Sequence, residues 1–455
     1  VSADGATATA TATLAAPPGR SGFLMRLRET IAYLKAPEAF LQARVEEFGP
    51  VFSTWLFFRR TVVVGGPSAV KDFTRVERDI VTSSLPDIFT ELHTPYGLLN
   101  LQGEDHAWQR TVTQPFYDQE FLQKKLPLIN ERMDELIESL AARGGEIELA
   151  RELKTFFVQL FGELYSGEQF TAEEVELFFD YNAGLLSLSK RSKAFKKAIY
   201  ALDTLRDSMG AKIEKAKAAS PGDEQYAGPS IVLDAKYRDG TPWKEEHKRT
   251  CLLLNTWGAY VETASLLTRA VVSLTERPAA VEEMRTEAAA WAGDKVGLSG
   301  QDLPYTTGVM RESNRLNPPN GGGFRLTSAP VEINGYEIPE GAVVTADPRI
   351  GNLMPELFPK PDTFEPRRWM RGDEPQSSGC PIAGTAKALG VGEWFPGGVG
   401  AHKCPGVPTA ELMCKVFLAK WVQRFSSWDH DEPSYEVLPI KIPKDDFKIR
   451  VTPRV

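Results

Sequence analysis

The sequence predicts a mainly α fold with a smaller β part, an α+β chain in which helices dominate. Three observations carry this. Apolar residues recur at helical spacing through most of residues 103–300; β-branched and aromatic runs are confined to stretches near 51–64 and 320–375; and no linker interrupts the chain after residue 22. The expected organisation is a low-complexity tail over 1–22 and a single domain over 23–455. With 42% hydrophobic and 25% charged residues among 455, disordered and collagen-like classes are excluded and a large core is available.

Each element follows from its pattern. Leu24 to Phe48 has helical spacing (Leu27, Ile31, Leu34, Phe40, Leu41, Val45) and stops at Gly49-Pro50. Val51 to Phe58 and Thr61 to Val64 read as a hairpin whose strands are separated by Arg59-Arg60. Helices resume from Ser68, with breaks at Gly144-Gly145, Ser220-Pro221-Gly222 and Arg238-Asp239-Gly240. Short strands are expected at Pro330–Ile333 and Ala342–Val344, and a last long helix from Pro408 to Phe425. The cluster Lys190, Arg191, Lys193, Lys196 and Lys197 reads as a solvated helix face, the alternative being a docking face for an acidic partner or an anionic membrane surface.

The net charge of −8 argues against a nucleic-acid partner, whose affinity would come from neutralising phosphates. Four cysteines (Cys251, Cys380, Cys404, Cys414) without CxxC spacing exclude a disulfide scaffold and a zinc ribbon, and fit a reducing compartment. No run of about eighteen apolar residues suggests a transmembrane anchor. The chain is expected to be soluble, in the cytoplasm or an organelle interior. The Ala/Thr-rich residues 1–16 fit a trimmed targeting peptide, which would make a plastid location natural, as well as an artificial start.

The chemistry concentrates in residues 394–406, Trp-Phe-Pro-Gly-Gly-Val-Gly-Ala-His-Lys-Cys-Pro-Gly, where four glycines shape a loop around Cys404 just before an amphipathic helix. Freed backbone N–H groups and the helix dipole both favour a thiolate there, and a soft anionic sulfur beside a large core suits iron. Gly400-x-His402-x-Cys404-x-Gly406 resembles the proximal loop of the cytochrome P-450 superfamily. Two further motifs occur in the order of that family: Glu312-Ser-Asn-Arg315, and Phe364-Glu-Pro-Arg367-Arg368-Trp369.

The resemblance covers residues 23–455 and implies the cytochrome P-450 fold, haem b as cofactor and Cys404 as the axial ligand of its iron. It implies that Glu312 and Arg315, three apart on one helix face, form a structural cluster with Arg367 or Arg368. It also implies that His106 and Arg110, in an HxxxR pair, contact the haem propionates together with Arg325 and His402. Two departures bear on mechanism. The family's Phe seven residues before the cysteine falls on Gly397, with Phe395 two further away, which puts shielding of the sulfur in question.

The second departure lies in Cys251 to Leu267, expected to cross the distal face. In one alignment Glu262-Thr263 is the family's acid–alcohol pair, with Tyr260 where a small residue is usual. In the other, counted from Pro278, the threonine position falls on Glu262 and the acid on Val261; it is preferred because it places Gly258-Ala259 at the small-residue kink. The same count makes Asn255-x-x-Gly258-Ala259-Tyr260 similar to a segment of allene oxide synthases and hydroperoxide lyases. The expected function is therefore transformation of a lipophilic hydroperoxide by haem-mediated O–O cleavage without a reductase, with Asn255, Glu262 and Thr263 as catalytic distal groups. The alternative is an O2-dependent monooxygenase that hydroxylates an apolar small molecule with electrons from a ferredoxin or reductase. A third reading is a non-catalytic haem protein that binds or senses a ligand. The 84–100 loop and the distal helix are the expected pocket walls, with an apolar ligand; His93 reads as solvated, with a pocket donor as the alternative, and Cys251, Cys380 and Cys414 as structural.

Overall fold

Proline breaks the first helical pattern in two. α1 (Phe23–Lys35) and α2 (Pro37–Phe48) replace the single expected element, because Pro37 can open a helix but cannot continue one. The computed structural model describes residues 14–82, 87–185, 187, 189–291, 302–370, 390, 392–436 and 441–454; Cys380 and residues 84–86 of the expected pocket loop lie outside them. Inside the stretch expected as tail, residues 15–20 lie along the body: Ser53 donates its N–H to Pro18 O at 2.7 Å and Glu337 to Ala15 O at 3.0 Å.

The hairpin is β1 (Val51–Leu56) and β2 (Arg59–Val64). Its turn is Phe57-Phe58, both at positive φ (50° and 61°), and Arg59-Arg60 belong to the second strand, paired with Leu56 and Trp55. The turn lands there because the Phe57 ring is anchored edge-on against Tyr33 and Phe324, at 5.6 and 5.5 Å. Then come α3 (Pro67–Arg75), β3 (Ile80–Thr82), α4 (Asp87–Leu92), α5 (Gly103–Thr113), α6 (Gln119–Arg143), β4 (Gly145–Ile147), α7 (Leu149–Ser166), α8 (Ala172–Leu185), α9 (Lys193–Ala218) and α10 (Ala227–Leu233). The long α11 (Glu245–Leu274) leads into α12 (Pro278–Ala290) and α13 (Pro304–Leu316). After β5 (Phe324–Thr327), β6 (Val331–Ile333), β7 (Tyr336–Ile338), β8 (Val343–Ala346) and α14 (Pro348–Asn352), the chain closes with α15 (Val407–Arg424), β9 (Phe425–His430), β10 (Tyr435–Glu436), β11 (Ile442–Pro443) and β12 (Ile449–Pro453).

Helices form the larger layer. Residues of α6, α7, α8, α9, α11, α12 and α15 share one apolar cluster that includes Phe157, Phe161, Leu252, Leu267, Phe417 and Trp421, each such side chain contributing roughly 1.5–3 kcal/mol by leaving water. α11 runs through it and is buried on most of its circumference, from Cys251 to Leu274. The five-stranded sheet has the order β1-β2-β8-β5-β3, with the β2/β8 pair parallel and the other pairs antiparallel. It packs on α3 through Val62, Val64, Val70 and Phe73 and on α1 and α2 through Phe52, Val63, Tyr33 and Phe40. In the basic cluster, Lys190 pairs with Glu91 and Lys197 with Asp180, while Arg191, Lys193 and Lys196 face solvent, as a solvated face requires.

Candidate active site

Glycine geometry shapes the cysteine loop. Gly397, Gly398 and Gly400 all have positive φ (80°, 88° and 74°), and the Cys404 N–H closes the loop on Gly397 O at 2.8 Å. A Cβ on Gly397 would lie 2.9 Å from the Cys404 Cβ and 2.6 Å from a Val407 methyl. The aromatic expected at this position therefore has no room. Phe395, two residues earlier, is buried under the sheet instead, and Trp394 packs on Trp369 at 4.6 Å.

Cys404 stands three residues before α15, and the N–H groups of Gly406 and Val407 point at its sulfur. Burial outweighs them. It pushes the thiol up to about 11, with the Glu262 carboxylate adding to the rise and Gly406, Arg110 and Val407 opposing it. The Gly406 and Val407 N–H groups thus act in the direction expected of the loop, toward the thiolate, against desolvation.

Around this loop the chain gathers cationic and donor groups from distant elements. The rings of His106 (α5) and His402 stack with centroids 3.5 Å apart. Arg110 donates to Lys403 O at 2.7 Å. Arg325, on β5, donates to Val399 O at 3.0 Å and pairs with Glu77 at 3.1 Å, and the same Glu77 oxygen accepts the Ala401 N–H at 2.6 Å. Burial, reinforced by the arginines, lowers His106 to about 4 and His402 to about 3, so both rings are neutral near pH 7. Sequence reasoning missed Glu77, which carries no motif.

Glu312 and Arg315 meet as expected, by two hydrogen bonds of 2.9 and 2.7 Å with both side chains fully buried. The third member is Arg368, whose Nε donates to Glu312 at 3.0 Å. Arg367 is a correction: its side chain is 63% exposed and pairs with Glu283. The turn over Pro366–Trp369 directs consecutive residues outward and inward, so Arg368 and Trp369 reach Glu312 (Trp369 Nε1 at 2.8 Å) while Arg367 does not. Neighbouring Arg311 joins α13 to Glu411 of α15 at 3.2 Å, so α13 grips both the Trp369 turn and the helix that follows Cys404.

On α11, Glu262 is half-buried and accepts a 2.6 Å hydrogen bond from the Asn320 side chain; desolvation pushes its carboxyl above its usual value. Its charge is felt at Cys404. Thr263 spends its hydroxyl on Ala259 O at 2.7 Å. Asn255 is engaged too: Tyr117 donates to its Oδ1 at 2.6 Å and its amide N reaches the Cys251 sulfur at 3.6 Å. Tyr260 turns away to donate to Phe178 O at 3.3 Å, and a Cβ on Gly258 would meet open space.

Asn320 was not anticipated, although its place between Pro318-Pro319 and Gly321-Gly322-Gly323 marks an irregular loop. It lines a small cleft whose walls include Tyr33, Glu38, Phe57 and Lys441. On the 84–100 loop, His93 is buried, which corrects its solvated reading: its ring packs edge-on against Trp257 at 4.9 Å, and Nδ1 lies 2.9 Å from Phe89 O. Cys251 and Cys414 are buried thiols, as expected of structural residues.

These residues fit haem. Two arginines and two neutral histidines suit a pair of propionates, a sulfur with two N–H donors suits an iron ligand, and α11 brings the Glu262 carboxyl within electrostatic reach of it. The comparisons agree. The Cytochrome P450 family profile matches residues 29–438. Cytochrome P450 26B1 of Danio rerio is 23% identical over 451 residues, 95% of this chain and 86% of its own. The putative cytochrome P450 120 of Synechocystis is 26% identical over 452 residues, 96% of each chain. The solved structure of retinoic acid bound cyanobacterial CYP120A1 superposes with a TM-score of 0.84 at 24% identity, covering 97% of this chain and all of that one.

Proposed function

The chain belongs to the cytochrome P450 family, a haem-thiolate oxidoreductase whose cofactor is haem b, and from that premise we propose that it is an O2-dependent monooxygenase acting on an apolar small molecule. The proposed reaction inserts one oxygen atom into a substrate C–H bond and releases the other as water, consuming two electrons from a ferredoxin or reductase and two protons. Haem iron, which the Cys404 sulfur would hold, would supply the oxygen activation. His106, Arg110, Arg325 and His402 would hold the propionates, and the cluster of Glu312, Arg315, Arg368 and Trp369 locks the segment ahead of the cysteine loop.

The observation that carries this reading is Glu262. It is a half-buried carboxyl on α11, tied by Asn320 to a cleft at the surface, and desolvation shifts it toward its protonated form. Proton delivery into a closed apolar site is what O2 reduction demands and what a substrate hydroperoxide does not. Glu262 serves in either alignment of the distal helix; Thr263, back-bonded to Ala259, orders the helix rather than the proton.

The hydroperoxide expectation gives way. It needed an Asn255 amide able to orient a peroxide, whereas both ends of that amide are occupied by Tyr117 and Cys251. It also rested on six residues, whereas the 26 and 120 group relatives match nearly the whole chain.

The test supplies haem-loaded protein with reduced ferredoxin, labelled 18O2 and a panel of apolar substrates. Retinoic acid comes first, since the cyanobacterial neighbour holds it. Labelled, electron-dependent product is expected. Rapid conversion of a fatty-acid hydroperoxide without reductant, and no labelled product, would overturn the proposal.

A further inference from the structure

Of the two arginines beside the cysteine loop, Arg110 donates to the Lys403 carbonyl, whereas Arg325 is paired with an acid. The Arg325 side chain is 8% exposed, and Glu77 meets it at 3.1 Å. Burial works against the charge of Arg325, and Glu77 opposes that effect. Glu77 opens the one-turn helix Glu77–Asp79 between α3 and β3. β3 pairs with β5 so that Thr82 stands opposite Arg325, and Ser328, just past β5, donates its N–H and its hydroxyl to Asp79 O at 2.8 and 3.0 Å. The turn is thereby fixed to the strand that carries the arginine. α3 adds the Phe73 ring, whose centre is 5.1 Å from the guanidinium carbon, so residues 73–77 supply Arg325 with both an aromatic face and a carboxylate.

The same carboxylate reaches across to the cysteine loop. Its Oε1 accepts the Ala401 N–H at 2.6 Å, three residues before Cys404, while Arg325 donates onward to Val399 O at 3.0 Å. A Cβ on Gly400 would overlap the Glu77 carboxyl group, so the loop is shaped to admit it. Glu77, Arg325, Val399 and Ala401 thus close a ring of polar contacts around Gly400 that joins the sheet to the loop. These bonds use two of the five N–H groups of Arg325 and leave donors for a carboxylate of the cofactor.

Charge gives the ring a second consequence. Arg110 and Arg325 balance the two propionates of haem b, His106 and His402 are neutral near pH 7, and Glu77 leaves this group of residues with one negative charge in excess. We propose that Glu77 is a positioning residue for haem: it orients Arg325 and the Ala401 end of the cysteine loop toward the propionates, and its carboxylate lowers the haem reduction potential. An anion beside the cofactor favours the redox form that carries more positive charge, which is the oxidised one. The proposal rests on the haem assignment and is independent of the reaction proposed above.

The experiment is a redox titration of the purified haem-loaded protein, paired with the rate of haem transfer to excess apomyoglobin, in wild type, Glu77→Gln and Glu77→Asp. The amide of Glu77→Gln keeps an oxygen for Ala401 and Arg325 but no charge. Its redox equilibrium is expected to move about threefold toward the reduced form, about 28 mV for a one-electron couple, with haem loss within about twofold of wild type. Glu77→Asp keeps the charge on a side chain one methylene too short to serve both partners. It is expected to hold the wild-type potential and to lose haem about tenfold faster. A wild-type or lower potential in Glu77→Gln would overturn the tuning role, and wild-type haem retention in Glu77→Asp would overturn the positioning role. Neither readout involves turnover, so the result stands whichever oxidant the enzyme uses.

Discussion

Glu312 accepts from Arg315 twice, from Arg368, from the Trp369 indole and from the Glu365 backbone N–H, all within 3.0 Å. A carboxylate so surrounded tolerates burial because each lone pair has a donor. Removing one donor exposes the difference between neighbours: Arg368→Ala is expected to cost about 1–3 kcal/mol and Arg367→Ala less than about 0.5 kcal/mol, read from denaturant midpoints of the two variants. At the distal helix, Glu262→Gln keeps the Asn320 contact but removes the transferable proton. Product per electron is expected to fall about a hundredfold, with hydrogen peroxide released instead and haem absorbance unchanged; Asn320→Ala should fall about tenfold. Full coupling of electrons to product in Glu262→Gln would remove the carboxyl from the mechanism.

At the scale of elements, the cysteine loop depends on glycine where a large aromatic was expected. Gly397 combines a φ of 80° with contacts that any Cβ would violate. Gly397→Phe is therefore expected to abolish haem incorporation, and Gly397→Ala to reduce it, measured as haem per protein after purification. Normal loading of the phenylalanine variant would show that the loop can be rebuilt around the aromatic. The α11 helix illustrates the converse economy: Tyr260, Thr263 and Asn255 all spend their polar atoms on packing, while the charge of Glu262 is felt at Cys404.

Across the whole molecule, buried neutral histidines couple stability to pH. Burial lowers His93 and His247 from an ordinary value near 6.5 to about 4. The unfolded chain binds these protons first, so the stability is fully present above pH 6.5 and is lost as pH falls from there toward 4, by roughly 3 kcal/mol for each ring. His247 donates or accepts at Gln109 (2.8 Å) and Tyr237 (3.2 Å) and stacks on Trp243 at 3.8 Å. Melting temperature against pH should therefore fall less steeply between 6.5 and 4 in His247→Gln than in the wild type, even if its plateau is lower. Parallel curves would mean that this ring contributes nothing to the acid limb.

What the sequence determined by itself is local. Periods of 3.6 and 2 assigned the long helices and the hairpin, glycine and proline marked most breaks, and spacing along one helix turn paired Glu312 with Arg315, because these signals are written within a few residues of one another. The cysteine loop was legible for the same reason: its glycines, histidine, cysteine and following helix are contiguous. The tertiary structure decided what no spacing encodes. Whether Arg367 or Arg368 points inward, whether Asn255 is free, where the hairpin turns and that Asn320 meets Glu262 all depend on which distant side chain arrives first: Tyr117, Phe324 or the loop after Pro319. The surroundings of Cys404 follow the same rule, since its N–H donors are local while the burial that opposes them comes from the rest of the chain.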